Sequence, residues 1–119
     1  MSIEPDGDDP AVIMVILQAP AWEFHFWVHL SELVRLRSIR GADWSARRSL
    51  QIGATGGVPV HWCIDKDDTV SALVGQDDET WHIAFRMPVA TIDQITTEAV
   101  DLLPPPDPSV PHPGQLGMF

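Results

Sequence analysis

Three short turn sequences set the architecture more firmly than any single apolar run. Ala54-Thr55-Gly56-Gly57, Lys66-Asp67-Asp68 and Gln76-Asp77-Asp78-Glu79 cut residues 48–87 into four short segments. Glycine and short acidic side chains at such places are hairpin chemistry. The intervening segments, 48–52, 58–65, 69–75 and 80–87, are expected to be strands. In the last, Trp81, Ile83, Phe85 and Met87 recur at every second residue, which places them on one face of a regular strand. Consecutive hairpins make a sheet mostly antiparallel, which excludes a doubly wound nucleotide-binding fold.

Upstream, Ala11-Val12-Ile13-Met14-Val15-Ile16-Leu17 reads as a central strand, apolar on both faces, and Ala19-Pro20 interrupts it. Trp22, Phe24, Phe26 and Val28 then alternate with Glu23, His25, Trp27 and His29, as in a strand with one buried face. Ser31 is placed to cap a helix through Leu33, Val34, Leu36 and Ile39, and Gly41 to end it. After Pro88, Thr91-Ile92-Asp93-Gln94 fits a capping box, and Ile92, Ile95, Ala99, Val100 and Leu103 form an apolar stripe. The expected class is α+β, in the order β-β-α-β-β-β-β-α: a mostly antiparallel sheet of five to six strands with two helices, over residues 11–103. Residues 1–10 hold Glu4, Asp6, Asp8 and Asp9 among Pro5, Gly7 and Pro10, and are expected to be a disordered acidic N-terminus.

A chain of 119 residues suffices for one domain, and 45% hydrophobic content supplies its core. No apolar run approaches the roughly 20 residues of a membrane span, and the first residues are acidic where a secretory leader is basic. A cytoplasmic location is the expectation. The formal charge of −10, with Lys66 the only lysine, opposes direct nucleic-acid binding despite the local run of Arg35, Arg37, Arg40, Arg47 and Arg48.

Catalytic signals are sparse. Cys63 is the only cysteine, so neither an intrachain disulfide nor a thiolate cage is available, and its apolar neighbours mark it as a core residue. Gly53-Ala54-Thr55-Gly56-Gly57 lacks the lysine of a phosphate loop, and no serine sits in a nucleophile elbow. His25, His29, His61 and His82 fall on polar faces of expected strands, where convergence would make a metal site. Spacing alone does not bring them together, and packing beside tryptophan on a half-exposed face is the expected role. No catalytic residue, metal or cofactor is therefore expected.

Beyond Leu103 the composition changes. Residues 104–114 contain six of the chain's eleven prolines, which suits an extended spacer of roughly 3.1 Å per residue, about 30 Å in all. It leads to Gln115-Leu116-Gly117-Met118-Phe119, whose large apolar side chains are out of place in a solvated tail. This pentapeptide resembles the Gln-Leu-(Ser/Asp)-Leu-Phe motif with which bacterial polymerases and repair proteins bind the sliding clamp, the β subunit of DNA polymerase III. Gln115, Leu116 and Phe119 match that pattern; Met118 stands in for leucine, and Gly117 departs from Ser/Asp. The resemblance implies that the Gln115 amide occupies a polar subsite, Leu116 a groove wall, and Met118 with Phe119 a deep apolar pocket.

The expected function is a non-enzymatic accessory or regulatory protein of bacterial replication, repair or translesion synthesis. Its clamp-binding peptide would recruit it, and its folded domain would bind a second protein or block access to the clamp. A different class fits the same composition: a toxin-immunity or inhibitor protein whose Asp65, Asp67, Asp68, Asp77, Asp78 and Glu79 cover a basic site.

Overall fold

The computed structural model describes residues 2–6 and 9–103. They form one seven-stranded antiparallel sheet in which sequence order is also spatial order: β1 (Ser2–Asp6), β2 (Asp9–Ala19), β3 (Trp22–His29), β4 (Leu50–Thr55), β5 (Val58–Ile64), β6 (Thr69–Gly75) and β7 (Trp81–Pro88). The α+β class and antiparallel sheet agree with the sequence reading, but there are seven strands, not five to six. The added strand lies within the segment expected to lack order. Ile3 aligns with Val15 of β2 and packs against the core, so one apolar side chain in the right register anchors this acidic strand.

One face of the sheet is covered. Ile13, Val15 and Leu17 of β2 line up with Val28, Phe26 and Phe24 of β3. Ile52 of β4, then Val60, Trp62 and Ile64 of β5, continue this buried layer. Trp62 is fully buried, and its indole N–H donates to the Ile52 carbonyl at 2.8 Å, which satisfies its one polar atom. The opposite face is less well covered: Val12, Met14 and Ile16 remain half-buried, so β2 is apolar on both faces but lies next to an edge.

The cover comes from two helical segments. The first is α1 (Leu30–Leu33), which tightens into a 3-10 helix over Val34–Gly41. Leu33, Leu36 and Ile39 are all fully buried and recur every third residue, a spacing that aligns on a three-residue turn and drifts on an α-helix. Ser31 does not cap this segment; the cap position is His29, with no side-chain hydrogen bond. The second is α2 (Val89–Leu102), which starts directly after Pro88. Thr91 therefore sits inside the first turn, and the expected capping box does not form. Asp93 instead accepts two hydrogen bonds from the Arg40 guanidinium, at 2.8 and 2.9 Å, tying α2 to the 3-10 segment. Ile92, Ile95 and Ala99 are buried as expected, whereas Val100 and Leu103 are exposed. Among the described residues no helix is long and apolar enough to cross a membrane.

Candidate functional site

The chemically distinctive region lies where β7 forms an edge of the sheet. Val74 aligns with Ile83, but Gly75 aligns with Trp81, so His82 is an extra residue that makes a β-bulge. Gly75 allows this, because a methyl group there would collide with the Trp81 backbone. The bulge turns Trp81 over. Trp81 lines an outer-face cleft of about 380 Å³ with Trp44, Cys63, Ser71, Leu73, Ala84 and Arg86. Ile83 and Phe85 point to the covered side, where Met87 is buried. The single face expected for Trp81, Ile83, Phe85 and Met87 is thus broken at its first member, for a reason that period-two counting does not carry.

On the covered side, β7 approaches β3. The Phe85 ring stacks on Phe24 at 4.4 Å between centroids and meets Trp22 at 5.0 Å. β3 pairs with β4 only at Trp27 and Ala54, which leaves the Trp22–Phe26 stretch without a strand on that side among the described residues. A second cleft, of about 400 Å³, lies along this seam, lined by Phe24, His25, Trp27, Val74, Ile83 and Phe85 among others. Two stretches of unpaired strand backbone therefore border one apolar opening. Ile83 at this seam and Trp81 at the outer cleft stand 52% and 43% exposed, unusual values for large apolar side chains on a strand.

Acidic turns stand at both ends of β7. The Asp65 side chain accepts from the backbone N–H groups of Asp67 and Thr69 at 2.9 and 3.2 Å, and Asp77 accepts from those of Glu79 and Thr80 at 2.8 and 2.7 Å. These bonds hold both carboxyls below the usual range, the Asp67 and Glu79 N–H groups contributing most. Asp65 also receives the Arg86 guanidinium at 2.6 Å, and Asp78 accepts from the Ser49 hydroxyl at 2.7 Å. Asp67, Asp68 and Glu79 are exposed and make no ion pair among the described residues.

Cys63 forms part of the outer cleft floor. Burial first, then Asp78 and Asp65, push its thiol up to about 11. It stays protonated at neutral pH and is a poor nucleophile. The histidines do not converge. His25 lies 2.6 Å from the Glu23 carboxylate on the same strand. β4 separates β3 from β5, which carries His61, and β6 separates β5 from His82 on β7. His61 is buried, and its Nε2 has no hydrogen-bond partner. Among the described residues, no three of His, Cys, Asp or Glu group closely enough to hold a metal ion. Of the arginine run, Arg40 pairs with Asp93 and Arg47 stacks over the Trp44 ring at 5.0 Å. The spacer 104–114 and the residues Gln115, Leu116, Gly117, Met118 and Phe119 lie outside the described residues. Comparison of the chain with protein-family models, curated proteins and solved structures finds no match.

Sequence reading missed the seam and the outer cleft. Gly75, placed just before a turn, was the available signal for the bulge; Trp44, three strands earlier in the chain than Trp81, carried none.

Proposed function

We propose that this chain is a non-enzymatic accessory or regulatory protein that binds the bacterial sliding clamp through Gln115, Leu116, Gly117, Met118 and Phe119. The observation that carries this reading is the pentapeptide itself, set behind the proline-rich residues 104–114. Leu102 and Leu103 at the end of α2 are exposed, so the chain leaves the domain at its surface, as a tether requires. Burial of Met118 and Phe119 in an apolar pocket would supply a few kcal/mol, part of which offsets the ordering of the segment. The expected affinity is about micromolar, roughly 8 kcal/mol, so contacts of Gln115, Leu116 and the peptide backbone would supply the remainder.

The test is a titration of purified clamp with the full chain and with a chain lacking Met118 and Phe119. A labelled peptide of residues 110–119 serves as the direct probe and as a competitor of a polymerase clamp-binding peptide. Binding should vanish on deletion of the two residues. Retained affinity in the shortened chain would sink this reading.

A further inference from the structure

The seam between β3 and β7 has what strand addition needs. Among the described residues β7 is the last strand of the sheet, and one side of its backbone has no strand partner. The facing part of β3, Trp22–Phe26, has no strand partner among the described residues on the side away from β2. Apolar clefts lie on both faces of β7, so alternate side chains of an incoming strand meet Ile83 and Phe85 on one side, Trp81 and Ala84 on the other. We propose that this seam docks an extended, cationic segment of a partner protein, paired through its backbone to β7.

Charge selects the occupant. The acidic turns at residues 65–68 and 77–79 flank β7, and Glu23 lines the seam from β3. Of the cations nearby, Arg86 is held by Asp65, and the exposed Lys66 is outnumbered by the acids of its own turn, Asp65, Asp67 and Asp68. Exposed Asp67, Asp68 and Glu79 are left to meet incoming lysine or arginine, and Trp44 already stacks a guanidinium, that of Arg47. Residues 104–119 of this chain suit the seam poorly, since they hold six prolines and neither lysine nor arginine. A second copy would bring another charge of −10 to the same place. The inference is independent of the clamp-binding peptide.

The experiment titrates the full-length protein with a blocked peptide of alternating arginine and valine, followed by amide chemical shifts and tryptophan fluorescence. A glutamate–valine peptide of equal length, and the arginine–valine peptide N-methylated along one edge, serve as controls. The expected result is saturable binding with shifts centred on residues 81–87 and 22–26, weakened by added salt. Ile83→Lys, at an exposed position, should weaken it about tenfold by like-charge repulsion, with the circular dichroism spectrum unchanged. Deletion of Met118 and Phe119 should leave it unaltered, which separates this site from the clamp-binding reading. Absence of saturable binding, equal binding of either control peptide, or shifts lying elsewhere overturns the proposal. So does a dimer in sedimentation that Ile83→Lys dissociates, because the seam would then belong to a second copy.

Discussion

β1 carries Glu4, Pro5 and Asp6 along five residues, and its register with β2 slips between Pro5 and Asp6. At the opposite edge of the sheet, β7 runs for eight residues with Arg86 as its one formally charged side chain, while Trp81 and Ile83 stand in solvent. Charge, proline and irregular register are what keep an edge strand from recruiting another chain. β1 has all three. β7 has a single charge, Arg86, already held by Asp65, a proline only at its last residue, Pro88, and a bulge that increases its exposed apolar surface by turning Trp81 outward. The two edges therefore differ in kind: β1 closes the sheet, and β7 leaves it open beside a partly unpaired β3. The acids near β7 sit in the flanking turns, where they repel anionic chains without blocking backbone pairing.

The strongest way to break this comparison is to remove the bulge. Gly75→Val would drive a branched side chain into the Trp81 backbone and should cost about 3 kcal/mol in urea denaturation. Deleting His82 in that variant removes the extra residue, restores regular alternation and should recover much of the loss. Trp81 then directly precedes Ile83 and stays on the outer face opposite residue 75, so its emission should change little. A Gly75→Val chain as stable as the parent would show that the bulge is not what sets the β7 edge apart.

A paired substitution tests the two edges with the same chemistry. Ile3→Lys removes an apolar side chain that packs on the core and should destabilise by about 1–2 kcal/mol. Ile83→Lys replaces a side chain that is already half in water, so its effect should stay within about 0.5 kcal/mol. Equal losses at the two positions would place Ile83 in the structural core and cancel the difference. In the same samples, Cys63 should resist alkylation at neutral pH until the chain unfolds, since its thiol is both buried and pushed up to about 11.

Period-two alternation made β3 legible, because Phe24, Phe26 and Val28 are buried between more exposed neighbours. β4 to β7 were legible instead from the turns that separate them, β5 and β6 being buried on both faces and β7 only at Met87. Turn chemistry was legible too, since Asp65 and Asp77 act through local hydrogen bonds that spacing anticipates. What stayed hidden depends on distant partners. β1 is ordered by a single register match, Ile3 with Val15, inside a composition that argues for no order. The 3-10 segment hides in an ordinary helical pattern until Leu33, Leu36 and Ile39 are read as every third residue. The β3–β7 seam exists because strands four places apart in the sheet curl toward each other, bringing Phe24 onto Phe85. No local pattern encodes that contact.

The smallest expected effect concerns the turns that bracket β7, and it is a matter of pH. Backbone N–H groups hold the Asp65 and Asp77 carboxyls below their ordinary value, as does Arg86 for Asp65. A carboxyl depressed by folding stabilises the fold fully above its unfolded value, and that contribution disappears as pH falls through the folded one. Nothing should change between neutrality and about pH 5, because both groups stay ionised throughout. Below about pH 4 their protonation should loosen the two turns. The amides of Asp67, Thr69, Glu79 and Thr80, which donate to these carboxylates, should shift with the titration, read residue by residue in heteronuclear spectra. Asp65→Asn should remove the acid response at the Pro88 end of β7 and spare the Trp81 end, and Asp77→Asn the reverse. If both ends respond to either substitution, the turns are not independent supports of the open edge, and β7 moves as one unit with them.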